Sequence, residues 1–215
     1  MRYPDAVTVP GAILWGGTTR GPQAIPGNYS VRLTLGSDTL TQSFEIRMNP
    51  RLRVSRADYE EQVNFLIKIR DKVSAAHEAV NMLRDIRKQI DDLSRRVKDQ
   101  PNEKRIRDAV KSLNGKMTSV EEEIIQTKIK SSQDALNYPI KLNNKIAALT
   151  GIVADGDGRP TRQSYEVFES LSAQLEVQLA AYRDILDKDL PAFNQAIKEQ
   201  EVPAVILKPK EKERN

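Results

Sequence analysis

The period of the hydrophobic pattern changes once along this chain, near residue 51, and this change constrains the fold more than any other feature. Before it, short runs of alternating apolar and polar residues are separated by Pro/Gly pairs, which is typical of β-strands and turns. After it, apolar residues recur every three or four positions, which predicts amphipathic helices. The sequence therefore predicts an α+β chain, with a small β module over residues 1–50 and an elongated antiparallel helical bundle over residues 51–200.

The first predicted helix is long and covers residues near 55–98. Ser55 and Asp58 resemble a capping box before it, and Pro101 follows its last apolar position. The stripe that defines the helix consists of Tyr59, Gln62, Leu66, Ile69, Val73, Ala76, Val80, Leu83, Arg87, Ile90, Ser94 and Val97.

Three further helices are predicted near residues 102–137, 140–154 and 161–200, and they would pack against the first as an up-down rod. Pro191 is expected to bend the last of them, because proline lacks the amide donor that the preceding turn needs. The remaining residues, 201–215, predict a charged and flexible tail.

Residues 28–47 predict a β-hairpin with one apolar face. If Gly36 and Ser37 form a two-residue turn, Leu33 pairs with Leu40 and Tyr29 pairs with Phe44. The run 12–15 predicts a third short strand.

Three strands cannot bury an apolar face on each other, and immunoglobulin-type sandwiches need about seven strands. The module is therefore predicted to be an incomplete Ig-like domain. Its face needs a cover, which could be the first helix through Phe65 and Leu66, another chain, or sequence upstream of Met1. The candidate interface residues are Trp15, Tyr29, Val31, Leu33, Leu40, Phe44 and Ile46.

Composition excludes several classes of function. The 215 residues include no cysteine and one histidine, which excludes disulfides, thiolate nucleophiles and zinc knuckles. The net charge of +4 is spread over the chain without a basic block, so no nucleic acid partner is predicted. No window is apolar and long enough to cross a bilayer, so no direct membrane span is predicted.

The polar clusters in the sequence also have ordinary structural interpretations. His77 lacks partners for metal or acid–base chemistry, so a solvated or interface histidine is favoured. The carboxylates of Glu121–Glu123 point in different directions on a helix and are predicted to be solvated. The acidic loop that begins at Asp155 has Pro160 where a calcium loop needs glycine. No catalytic residue, cofactor or metal ligand is predicted.

Several motifs together resemble the C-terminal region of bacterial sortilin-like, BNR-repeat β-propeller proteins, a family that carries a glycosyl hydrolase label. The Pro-Gly-x-Tyr-x-Val-x-Leu strand also resembles the Ig-like domain of the flagellar hook-cap protein. The motifs are the runs 2–6, 11–15, 26–34, 136–145, 159–161 and 165–168. The family's propeller has no counterpart here, so the resemblance implies no catalytic position in this chain.

The predicted function is therefore non-enzymatic: an accessory or scaffold subunit of a larger protein assembly, including one at a membrane surface. Its partners would be other protein subunits. One alternative is that the chain is the C-terminal fragment of an exported propeller protein, and a hydrolase-related enzyme is a weaker alternative. The resemblance implies a periplasmic or extracellular location, whereas an authentic Met1 implies the cytoplasm.

Overall fold

A computed structural model describes residues 1–156 and 158–202, and it confirms the α+β class. Two strands, β1 (Gly27–Leu35) and β2 (Asp38–Ile46), form an antiparallel hairpin. The rest of the described chain is mostly helical. The helices are α1 (Arg56–Arg96), α2 (Glu103–Ile124), α3 (Leu142–Ala154), α4 (Arg162–Asp184) and α5 (Leu190–Glu199). Most of the predicted tail, residues 203–215, lies outside the described residues.

Helix α1 begins where the sequence predicts it to begin. Ser55 Oγ accepts a hydrogen bond from the amide of Asp58, and the Asp58 carboxylate accepts one from the amide of Ser55, which completes the capping box. The 41 residues of α1 extend over about 60 Å and bury the predicted stripe, including Ile69, Val80 and Leu83. This helix is the long axis of the bundle.

The other helices form two columns beside α1. The first consists of α2 and α3, which together run antiparallel to α1, and the second consists of α4 and α5. Lys72 pairs with Glu176 and Tyr165 bonds to Glu61, so α4 runs parallel to α1. The opposite order holds in the α2–α3 column, where the pairs are Gln62 with Val153, His77 with Asn143, and Arg84 with Glu121.

The prediction that the second helix continues to residue 137 is wrong, because α2 ends at Ile124. Ile125 has extended backbone, and a short 3₁₀ turn, Asp134–Leu136, follows in the connection to α3. The Asp134 carboxylate accepts hydrogen bonds from the amides of Lys130 and Ser131, which competes with helical bonding. Ile125 and Ile129 are nevertheless buried, so this connection contributes side chains to the core although it is a loop.

The last predicted helix is interrupted close to Pro191. A π-helical turn, Ile185–Asp189, separates α4 from α5, and Pro191 lies in the first turn of α5. Proline cannot donate to the carbonyl four residues earlier and its ring crowds that carbonyl. A wider π turn is a common way for a helix to accommodate such an interruption.

The first 26 residues lie against the helices, and we call them the N-terminal segment. They double back, so that residues 1–6 run antiparallel to residues 19–24 and share a few backbone hydrogen bonds with them. Ala6 and Val9 are buried in the same core as α1, and Ala12 and Leu14 pack on its edge. The predicted strand at residues 12–15 is wrong: these residues are irregular and their backbone is bonded by a helix side chain instead. The predicted β module thus consists of two parts with different surroundings.

Candidate protein interface

The hairpin has the register that the sequence predicts. Tyr29 lies opposite Phe44, and Leu33 lies opposite Leu40. Gly36 has φ of 59°, a value that the first central residue of a type II′ turn requires and that glycine adopts without strain. Because side chains alternate along a strand, one face carries the apolar residues and the other is polar. The polar face presents Asn28, Ser30, Arg32, Thr34, Thr39, Thr41, Ser43 and Glu45.

No helix covers the apolar face. No Cα atom of either strand lies within 8 Å of a Cα atom in any described helix. Val31 is 55% exposed, Leu33 66% and Leu40 72%. We call these three residues and Leu35, which is also exposed, the apolar tip. A continuous exposed apolar surface of this kind is a candidate contact site.

The expectation that α1 covers this face through Phe65 and Leu66 is wrong. Both side chains are buried inside the bundle, and the Phe65 ring lies 4.1 Å from the ring of Tyr165 and 5.3 Å from that of Phe168. Aromatic neighbours from α4 therefore occupy the surface that the hairpin would need. Another chain and sequence upstream of Met1 remain the other predicted covers of the apolar face.

The base of the hairpin is better packed than its tip. Tyr29, Phe44 and Ile46 are half-buried, and the rings of Tyr29 and Phe44 stack at 5.9 Å. The Tyr29 hydroxyl donates a hydrogen bond to the carbonyl of Ile25 at 2.7 Å. The candidate interface residues on the hairpin thus separate into an anchored base and an exposed tip.

Trp15 does not join the hairpin. Asn144 of α3 accepts a hydrogen bond from the Trp15 amide at 2.7 Å and donates one to the Trp15 carbonyl at 2.8 Å. This buried amide therefore satisfies both backbone groups of Trp15, as a neighbouring strand would do. The indole is 46% exposed and remains a surface feature of the N-terminal segment.

A row of polar side chains on α1 fastens the N-terminal segment, and sequence reasoning missed it. Each member bonds to a backbone group of residues 4–10. These contacts therefore depend on the backbone conformation of residues 4–10 and not on the side chains of those residues. The spacing of four, three, four and three residues places the row along one helix face. The hydrogen bonds of the row join Arg70 to the Pro4 carbonyl, Ser74 to the Val7 amide, His77 to the Val7 carbonyl, Asn81 to the Thr8 carbonyl and Arg84 to the Pro10 carbonyl.

The sequence predicts that His77 is either solvated or at an interface. The first alternative, a solvated side chain, is wrong because His77 is only 1% exposed. Nδ1 donates to the Val7 carbonyl at 2.5 Å, and Nε2 accepts from Asn143 Nδ2 at 3.0 Å. Burial lowers the pKa of His77, although the bond to Val7 opposes the shift. His77 is a neutral bridge between the N-terminal segment, α1 and α3.

Glu121 is also buried, so the prediction of a solvated carboxylate is wrong at this position. Its two oxygens accept hydrogen bonds from Arg84 Nε at 2.7 Å and Arg87 Nη1 at 2.5 Å. Burial alone would raise the pKa of this carboxyl, but the bonds from the two arginines outweigh it and the pKa is lowered. Glu121 therefore links α2 to α1 through ion pairs with two arginines.

Comparison of this chain with protein-family models, curated proteins and solved structures finds no match. Among the described residues, no group of three or more histidines and carboxylates is placed to hold a metal ion. None of the described helices combines the length and apolarity that crossing a bilayer requires.

Proposed function

We propose that this chain is a non-enzymatic accessory or scaffold subunit of a larger protein assembly, and that its hairpin docks on β-strands of a partner protein. The observation that carries the proposal is the exposed apolar tip on a hairpin that no helix supports. A two-stranded hairpin is marginal in water by itself, so a hairpin with this surface gains most from a partner.

A partner with β-strands suits the hairpin better than a helical partner. Within the described part of the chain, β1 and β2 pair only with each other, so each has a free edge of amide and carbonyl groups. An added strand satisfies those groups, and a second sheet covers the apolar face. The hairpin would then be two strands of an Ig-like sandwich that the partner completes.

The chemistry of the buried polar residues supports a non-enzymatic role. Both nitrogens of His77 are engaged with Val7 and Asn143. Both oxygens of Glu121 are engaged with arginines. These groups stabilise contacts between elements, and their hydrogen-bonding atoms are occupied by structural partners.

Site-specific photo-cross-linking in the source cells tests the docking proposal. A photoreactive phenylalanine at Leu33 lies on the apolar face, and the same residue at Thr34 lies on the polar face as a matched control. We expect a cross-link from position 33 to a β-strand of another protein, mapped by mass spectrometry, and a much weaker one from position 34. Equal cross-linking from both faces, or a cross-link to a helix or to a second copy of this chain, would contradict the proposal.

The same samples address the compartment. The family resemblance supports a periplasmic or exterior partner. The intact mass of the cellular protein separates a subunit of 24.3 kDa from a fragment of a longer propeller protein.

A further inference from the structure

A cleft of about 470 Å³ lies where the N-terminal segment, the base of the hairpin, the start of α1 and the end of α3 meet. Its volume is within the range of small-molecule sites in proteins. Its large aliphatic lining residues, which we call its floor, come from the N-terminal segment, the hairpin base, the loop before α1 and α1 itself: Ile25, Ile46, Leu52, Val63 and Leu66. The polar residues Gln23, Asn49, Gln62 and Thr150 also line the cleft. Val63 and Leu66 are buried and the other three are half-buried, so the floor is already largely shielded from water.

The rim of the cleft is cationic. Arg2, Arg20 and Arg47 line it, and no carboxylate of the described residues does so. Two carboxylates close to this rim are engaged: Asp5 accepts a bond from the amide of Gly21, and Glu45 pairs with Arg47. A negatively charged ligand would therefore meet attraction at the rim.

Two of the three guanidinium groups are free of carboxylate partners. Arg2 donates to the Gly21 carbonyl at 2.9 Å, which fixes its side chain beside the cleft. Arg20 is exposed, and its guanidinium makes no hydrogen bond or ion pair with any residue of the described ranges. Because a guanidinium binds a carboxylate through two parallel hydrogen bonds, Arg20 has the capacity to hold one.

From the apolar floor and the cationic rim, we propose that the cleft binds a small amphiphilic carboxylate, such as a medium-chain fatty acid. The alkyl chain lies along the floor, and the carboxylate bonds to Arg20 with Arg2 nearby. This site is separate from the apolar tip and does not depend on the proposed docking function. A bound ligand would touch Ile46 at the base of the hairpin as well as α1, and so would brace the hairpin against the bundle.

Isothermal titration of the full chain with dodecanoate, below its micelle concentration, tests the site. We expect saturable one-to-one binding with a Kd below about 1 mM, the value typical of a ligand of this size. Two control ligands separate the parts of dodecanoate. Dodecanol has the same alkyl chain without the charge, and acetate has the carboxylate without the long alkyl chain. Each should bind at least about tenfold more weakly. Absence of saturable binding, or equal binding of dodecanol, would overturn the proposal.

Two pairs of variants locate the ligand. Ala154→Phe places bulk in the cleft, whereas Ile152→Phe places the same bulk at an exposed position of α3 outside it. Arg20→Gln removes the free guanidinium, whereas Arg32→Gln removes one from the polar face of the hairpin. We expect Ala154→Phe to abolish dodecanoate binding and Arg20→Gln to weaken it roughly fivefold or more, with both controls unchanged.

A third variant separates this site from the apolar tip, which could also attract an alkyl chain. The double change Val31→Ser and Leu33→Ser should leave the Kd of dodecanoate unchanged. Loss of binding in this variant, with binding retained in Ala154→Phe and Arg20→Gln, would place the ligand on the hairpin and overturn the proposal.

Discussion

The N-terminal segment and the hairpin come from the same 50 residues, yet the bundle holds them differently. The N-terminal segment has only a few backbone bonds of its own, between residues 1–6 and 19–24, and side chains of α1 and α3 satisfy other backbone groups of it. The hairpin satisfies half of its own backbone groups and exposes its apolar side chains. The segment with few internal bonds is thus fastened to the helices, whereas the hairpin, which is paired along its whole length, exposes its apolar tip.

The largest expected effect comes from the same substitution in the two regions. Val9 is 5% exposed in the core, and Val31 is 55% exposed on the apolar tip. Val9→Asp buries a charge without a partner and should lower the free energy of unfolding by about 3 kcal/mol or more. Val31→Asp should change it by less than about 0.5 kcal/mol.

Urea denaturation followed by circular dichroism measures both values. Equal losses of stability in the two variants would show that the hairpin is packed as tightly as the N-terminal segment, against this account.

A smaller effect is expected at the bonds that fasten Trp15. Asn144→Ala leaves the amide and carbonyl of Trp15 without partners and should lower the free energy of unfolding by about 1–2 kcal/mol. Gln42→Ala, on the exposed hairpin, should lower it by less than about 0.5 kcal/mol. The same denaturation experiment measures both, and an unaffected Asn144→Ala variant would mean that the bonds to Trp15 add nothing to stability.

The attachment of the N-terminal segment should also depend on pH through His77. Its pKa is lowered in the folded chain, so the unfolded chain binds more protons as the pH falls. The stability that neutral His77 contributes is fully present above its ordinary pKa of 6.5 and is lost as the pH falls below that value. One group changes the free energy of unfolding by at most about 1.4 kcal/mol per pH unit.

His77 is the only histidine, which makes its contribution identifiable. Denaturation experiments between neutral and mildly acidic pH give the free energy of unfolding as a function of pH. It should fall with pH in the parent chain and fall less steeply in His77→Gln. Identical slopes in the two proteins would exclude His77 as the source.

The smallest effect on the bundle is expected from Phe44→Ser at the base of the hairpin. Removing the ring that stacks on Tyr29 should loosen the hairpin and abolish partner binding. The helical circular dichroism signal should remain, because the strands lie more than 8 Å from every described helix, measured between Cα atoms. If partner binding and the thermal transition of the hairpin are both unchanged, the placement of the interface is wrong.

The elements with local signals could be predicted from sequence. The register of the hairpin follows from alternation together with a two-residue turn, and the start of α1 follows from its capping box. The end of α2 could not be predicted from the apolar spacing, because Ile125 and Ile129 continue that spacing and are buried in a loop. The apolar spacing indicates which residues are buried, and a residue can be buried in a loop as well as in a helix.

The buried polar residues could not be predicted for a different reason. His77 bonds to residues 70 and 66 positions away, and Glu121 is held by arginines more than 30 positions away. On a helix, a polar residue that faces a distant partner has the same local pattern as one that faces water. The row from Arg70 to Arg84 therefore resembles an ordinary solvated face until the N-terminal segment is placed on it.

Amide hydrogen exchange of the whole chain, with and without the cross-linked partner, tests the contrast between the two regions most directly. In the free chain, the amides of Val7 and Trp15 should exchange at least about 100-fold more slowly than those of β1 and β2, because side chains of α1 and α3 accept their hydrogen bonds. Adding the partner should slow exchange along β1 or β2 and leave the N-terminal segment unchanged. Hairpin amides as protected as those of α1 in the free chain, or unaffected by the partner, would contradict the account.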